Sequence, residues 1–149
     1  MTQSPIHPLA GYCEGQSHIF PLRIHMEDTD AGGITYYANY VKFSERARAA
    51  SLVYLGSSYS KLLEEWGIMF IVRKCSVDYL APSCLDDDLK IVTTFGVEGR
   101  LKVWADQEIR KSDQTLVELK TLLVCVDKNL KPTKIPEPLL DILKPFTRH

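Results

Sequence analysis

The run Leu89-Lys-Ile-Val-Thr-Thr-Phe-Gly-Val-Glu-Gly-Arg-Leu-Lys-Val-Trp-Ala-Asp-Gln-Glu-Ile109 decides the fold. Leu89, Ile91, Thr93, Phe95 and Val97 fall on every second residue. Leu101, Val103, Ala105 and Ile109 resume the alternation after a tight turn around Arg100. A period of two marks a strand with one face buried. A link this short cannot carry a crossover, so the two strands are antiparallel.

Working outward, the Ser112-Asp-Gln114 turn leads into a further strand from Thr115 to Val126. Its end, Leu122 to Val126, is apolar on both faces, which predicts a central strand or one buried at a subunit contact. Upstream, Ile68, Phe70 and Val72 share one face, and Cys75, Val77 and Tyr79 then sit on the other parity. The flip near Arg73–Lys74 predicts a bulge. Further back, Tyr36, Tyr40, Phe43, Ala47, Ala50 and Tyr54 recur at steps of three and four, with Lys42, Glu45 and Arg48 on the opposite face. That is an amphipathic helix of about five turns, ended by Gly56. Ser58 to Trp66 reads as a short second helix closed by Gly67. His18 to His25 reads as a strand, with Pro21 marking an edge or bend. Leu139 to Leu143, after Pro136 and Pro138, predicts a final helical turn. Residues 1–17 read as a flexible arm and 18–149 as one domain. The expected class is α+β, with an antiparallel sheet wrapped over one long helix.

Composition narrows the function. The chain has 149 residues, 45% hydrophobic and 25% charged, which suits one globular domain. Lys and Arg number 18 against 19 Asp and Glu, a net charge of −1. No overall field favours nucleic acid or an anionic membrane. No apolar run approaches the ~18 residues of a membrane span. The start of the chain lacks a basic stretch followed by an apolar one, so no signal peptide is expected. Cys13, Cys75, Cys84 and Cys125 form no C-x-x-C pair, which argues against zinc or redox use and for a reduced, cytoplasmic chain. Cys75 and Cys125 lie in apolar strand-like runs and read as small buried hydrophobes. His7, His18, His25 and His149 are scattered, so no metal site is expected. No G-x-S-x-G, P-loop or dinucleotide fingerprint is present.

Chemistry concentrates in Glu27-Asp-Thr-Asp-Ala-Gly-Gly-Ile-Thr-Tyr-Tyr-Ala-Asn39. Three carboxylates and two glycines precede a helix start. The first helical N–H groups are free donors at the positive end of the helix dipole, suited to polarising a carbonyl. A nearby carboxylate could attack that carbonyl or activate water. The same residue types also serve as ordinary capping and turn chemistry.

This segment, with Tyr36-Tyr-Ala-Asn-Tyr40 and Glu45-Arg-Ala-Arg48, resembles the hotdog-fold acyl-CoA thioesterases. The likeness is to the 4-hydroxybenzoyl-CoA thioesterase family, YbgC type, associated with the tol-pal system. It continues through Phe70-Ile-Val-Arg-Lys74, Asp78-Tyr-Leu-Ala-Pro82, Leu85-Asp-Asp-Asp-Leu89 and Leu123-Val-Cys-Val-Asp127. The resemblance implies a hotdog fold and hydrolysis of an acyl-CoA to free acid and CoA, with no cofactor beyond the substrate's own CoA. It places the catalytic carboxylate at Asp30, the carbonyl-polarising N–H at Tyr37, and the loop-shaping glycines at Gly32 and Gly33. Many YbgC-type relatives carry His where this chain has Tyr37, and often Tyr where it has Met26. The family's CoA-binding cations fall near Arg100 and Lys102. The resemblance further implies a homo-oligomer, dimer or tetramer, built by pairing sheets edge to edge. Glu45, Arg46 and Arg48 are spaced for ion pairs on the helix surface. The alternative function is a non-catalytic module binding acyl carrier protein or an envelope complex.

Overall fold

The computed structural model describes residues 9–148. Strands β1 (Tyr12–Glu14) and β2 (Ser17–Arg23) form a hairpin, and a 3-10 turn follows at Met26–Asp28. Helices α1 (Asn39–Tyr54) and α2 (Tyr59–Trp66) come next. Strands β3 (Met69–Tyr79), β4 (Asp88–Glu98), β5 (Lys102–Lys111) and β6 (Gln114–Val126) complete the sheet. Helix α3 (Glu137–Leu143) runs into a second 3-10 turn at Lys144–Phe146.

The six strands form one sheet in the order β1-β2-β4-β5-β6-β3. Every pairing is antiparallel, as the short links require. The register shifts between Val72 and Lys74, at the predicted bulge. Residues Leu122 to Val126 are all buried, with β6 held between β5 and β3. Pro21 faces β4 beyond the reach of short β1, where its missing N–H costs no ladder bond.

Helix α1 lies across β2, β4, β5 and β6. Its first half buries Tyr40, Phe43 and Ala47 against Ile91, Ile109 and Val117. Further along, Leu52 packs with Phe95, Val103, Leu123 and Phe146, and α3 closes that end with Leu139 and Leu143. Phe43 is 1% exposed, and burying such a ring contributes about 2–3 kcal/mol. At α2, the Ser58 side chain accepts from the Lys61 amide and Gly67 closes the helix with φ +63°.

Four expectations change. Residues 12–14 of the supposed arm are paired with β2, and Ala10 is buried, because turns at Gly11 (φ +74°) and Gly15 (φ +61°) fold this segment back. The remainder, 1–8, lies outside the described residues. Helix α1 starts at Asn39, so Tyr36 is not on its stripe but exposed in the preceding loop. Cys75 is exposed, because β3 is an edge strand; Cys125 is buried, which pushes its thiol up to about 11. Arg48 is 6% exposed rather than solvated, and no ion pair among the described residues joins it to Glu45 or any other acid.

Buried His18 ties the N-terminal hairpin down. Its Nε2 donates to the Ala10 carbonyl at 2.5 Å, and the rings of Tyr54 and Phe146 pack edge-on against it. Burial lowers its pKa below 6.5, while the Ala10 bond acts weakly the other way. The unfolded chain therefore takes up a proton near pH 6.5 that the folded chain refuses, and stability falls as pH drops below that value. The slope is at most ~1.4 kcal/mol per pH unit for one group. Urea unfolding midpoints between about pH 7.5 and 5.5 will show this fall, and a His18→Gln chain will show a flatter profile.

Candidate active site

Residues Asp28 to Tyr36 form a small hairpin. The Tyr36 amide donates to the Asp28 carbonyl at 2.9 Å, the Asp30 amide to the Ile34 carbonyl at 2.9 Å, and the Gly33 amide to the Asp30 carbonyl at 3.0 Å. The turn needs Gly33, whose φ is +80°. Gly32 is required for another reason. Its amide donates to Asp30 Oδ1 at 2.8 Å, and a Cβ there would lie 3.1 Å from that oxygen. The two glycines thus fix where the Asp30 carboxylate sits.

The acids divide by role. Asp28 Oδ2 accepts from the His25 amide at 2.9 Å and so holds the 3-10 turn together. Its carbonyl also accepts from Asn39 Nδ2 at 2.9 Å, which joins the hairpin to the first residue of α1. Asp30 is exposed at the hairpin tip, and among the described residues only the Gly32 amide bonds its side chain. Tyr37 lies two residues before α1. The cap residue Ala38 offers no side-chain acceptor, and among the described residues no acceptor meets the Tyr37 N–H. The local arrangement is a free donor near the helix's positive end and a carboxylate on the adjoining hairpin.

Several supporting groups were not singled out from sequence. The Tyr79 hydroxyl donates to the Tyr37 carbonyl at 3.1 Å. The Tyr79 ring lies 6.0 Å from that of Tyr37 and 5.9 Å from that of Tyr40, and Tyr36 lies 5.0 Å from Tyr37. Tyr37 is 60% exposed and Tyr79 47%, so these rings make an open aromatic wall beside the loop. Underneath, Ser83 Oγ bonds both Thr35 Oγ1 and the Tyr40 hydroxyl at 2.7 Å. The Thr35 amide donates to the Ser83 carbonyl at 2.8 Å, and the Ser83 amide to the Tyr40 hydroxyl at 3.2 Å. Asp87 clasps the adjoining turn through the Cys84 amide and Lys111, which together hold its carboxyl below the usual range.

That hydroxyl cluster staples the loop to α1 and to the β3–β4 connection. A Tyr40→Phe chain leaves the buried Ser83 amide without its acceptor and the Ser83 hydroxyl with Thr35 alone. It is expected to lose about 1–3 kcal/mol, read as a lower thermal midpoint.

Asp30, Gly32 and Gly33 share the hairpin tip, and Tyr37 follows the end of that hairpin. Arg100 and Lys102 do not join them within one chain. The start of β4 adjoins the loop through the Ile34–Cys84 bridge, and the turn bearing Arg100 follows its far end. The 11 residues of β4 span about 33 Å at ~3.3 Å per step. A concavity of about 730 Å³ is also elsewhere. It lies over the sheet, with Lys90, Asp106, Arg110 and Glu118 in its lining, and contains no residue of the loop. Among the described residues no cluster of His, Cys, Asp and Glu could hold a metal ion.

The sequence matches the thioesterase-like superfamily over residues 24–143. An acyl-CoA thioester hydrolase YbgC from Escherichia coli O6:H1 is 39% identical over 123 residues, which is 81% of this chain and 91% of the relative. The acyl-CoA thioesterase YbgC of Haemophilus influenzae is 34% identical over 119 residues, 79% of this chain and 88% of the relative. Among solved structures, a 1,4-dihydroxy-2-naphthoyl-CoA thioesterase from Synechocystis superposes with a TM-score of 0.80 at 20% identity. That superposition covers 86% of this chain and 96% of the other, and at this identity it speaks to the fold.

Proposed function

Because the chain belongs to the thioesterase-like superfamily, and within it to the YbgC acyl-CoA thioesterases, we propose that it hydrolyses an acyl-CoA thioester to the free acid and CoA, with Asp30 as the reacting carboxylate. The observation that carries this is the Asp30 side chain, fixed by the Gly32 amide, on the hairpin that leads directly into Tyr37, whose N–H is unengaged.

The thioester carbonyl oxygen accepts the Tyr37 N–H, which stabilises the negative charge that builds up there. Asp30 then acts by one of two routes. Its oxygen bonds to the acyl carbon as the C–S bond breaks; CoA leaves as the thiolate, and water splits the resulting anhydride. Alternatively, Asp30 takes a proton from water as the water oxygen adds to the acyl carbon, and the departing sulfur is protonated. Both routes consume one water and need no cofactor. Tyr37 acts through its backbone, so Tyr where relatives carry His leaves the donor in place.

The working unit is an oligomer, a dimer or a tetramer. β3 is an 11-residue edge strand with Ile71 41% and Val72 53% exposed. An open edge of that length is a template for pairing with another chain. Antiparallel pairing of two β3 strands about a two-fold axis brings the Tyr79 end of one to the Met69 end of its partner. That is the end of the partner's sheet carrying Arg100 and Lys102, so the CoA phosphates are held across the subunits. The free cysteines of the described residues fit a cytoplasmic setting. We further propose a connection to the tol-pal system, with acyl carrier protein as an alternative thioester carrier.

The test is thiol release from acyl-CoAs of short, long and aromatic acyl groups. Turnover by the native chain supports the reading. Absence of turnover on every acyl-CoA, together with stable capture of acyl carrier protein, replaces it with the binding-module reading.

A further inference from the structure

Two peptide units meet at the Cα of residue 37, and a different group holds each. The first joins Tyr36 to Tyr37. Its carbonyl end accepts from the Asn39 amide at 2.9 Å. A trans peptide is planar, with its C=O and N–H pointing opposite ways, so the Tyr37 N–H is aimed away from Asn39. The second unit begins with the Tyr37 carbonyl, which accepts from the Tyr79 hydroxyl at 3.1 Å. The backbone has only two soft dihedrals per residue, so holding both planes fixes residue 37 and the direction of its N–H.

The Asn39 bond is local, within one turn of chain. The Tyr79 bond comes from 42 residues away, and its base is firm. Tyr79 ends β3 opposite Val117 of β6, and the next two amides, of Leu80 and Ala81, both donate to the Leu116 carbonyl at 2.8 and 3.1 Å. The Tyr79 ring lies 5.9 Å from that of buried Tyr40, whose own hydroxyl is tied to Ser83. Partial burial, with Tyr37, Cys75 and Tyr40 nearby, raises the Tyr79 pKa above 10, so the hydroxyl keeps its proton through the neutral range.

We propose that Tyr79 is a positioning residue, whose hydroxyl clamps the Tyr37 carbonyl so that the Tyr37 N–H stands preset for the thioester carbonyl. Tyr79 transfers no proton and acts through residue 37. A donor already in place needs no reordering as charge develops on the carbonyl oxygen, and a loosened one does. The catalytic meaning of the clamp rests on the hydrolysis proposed above, whereas the clamp itself does not.

The experiment compares the native chain with Tyr79→Phe, which keeps the ring and loses only the hydroxyl. The expected kcat is about 3- to 10-fold lower, the size of one net hydrogen bond, with KM changed by less than about twofold. The ¹⁵N order parameter of the Tyr37 amide is expected to fall from about 0.85, the rigid range, toward about 0.6. Tyr79 is 47% exposed, so the thermal midpoint should stay within about 2 °C of native. Tyr36→Phe deletes a hydroxyl from the adjoining ring and is expected to match the native chain in every reading. Native kcat in Tyr79→Phe, or an unmoved Tyr37 order parameter, overturns the proposal. So does a loss that falls on KM, which assigns the hydroxyl to substrate binding, or one accompanied by a lowered melt, which makes its role structural. If the native chain hydrolyses no thioester, the proposed function fails, and the order parameter alone then decides whether Tyr79 holds residue 37.

Discussion

An Asp30→Asn chain is expected to hydrolyse acyl-CoA with kcat lowered about 10²- to 10⁴-fold, the range for losing a positioned base or nucleophile. Asparagine is the informative replacement. Its Oδ1 still accepts the Gly32 amide, as the Asp30 carboxylate does at 2.8 Å, so the hairpin keeps its shape. What is lost is the charge and the nucleophilic oxygen. Asp30 is exposed, so stability should change by no more than about 0.5 kcal/mol. The loss should fall on kcat with KM little changed, because the carboxylate acts in the transition state rather than in holding CoA. Steady-state kinetics beside a thermal melt checks both. A variant that keeps native kcat removes Asp30 from the chemistry.

The second large effect concerns the β3 edge. If two chains join there, the native protein sediments as a dimer or larger, and a charge at Val72 breaks the contact. Val72 is 53% exposed on the edge strand, whose outer side is open, so lysine is accommodated in the single chain, while charged edges resist pairing. A Val72→Lys chain is expected to sediment as a folded monomer and to lose about tenfold or more in kcat/KM, since Arg100 and Lys102 no longer reach the loop from the partner. Sedimentation velocity and kinetics on one preparation read both quantities. Full activity in a verified monomer would show that the site is complete within one chain.

The strands were the most legible part of this sequence. Alternation from Leu89 to Ile109 marked β4 and β5, and the parity flip at Arg73–Lys74 marked the bulge in β3. Both are local patterns, imposed by which face of a strand is buried. Arg48 was misread because helical spacing places a residue on a stripe but does not say what the stripe meets. Opposite Arg48 stands Gln107 of β5, 59 residues away in sequence, and that partner turns a surface position into an interior one. Cys75 was misread because periodicity cannot distinguish an edge strand from a central one.

The candidate site was legible for a different reason. Its carboxylates, glycines and helix start lie within one short segment, so sequence neighbours are also neighbours in space. The groups that hold this segment in place come from afar. Tyr79 and Ser83 reach it from the end of β3 and the connection beyond, and no spacing rule links them to residue 35 or 37. The early helix boundary at Tyr36 follows from the aromatic stripe continuing in register past the true start, although Tyr36 belongs to the hairpin.

The most direct test of the central claim is a crystal structure of the Asp30→Asn chain soaked with an intact acyl-CoA. The account predicts the thioester carbonyl oxygen within hydrogen-bond distance of the Tyr37 N–H and the acyl carbon facing the residue 30 side chain. A thioester bound away from this hairpin, for instance in the concavity over the sheet, would contradict it.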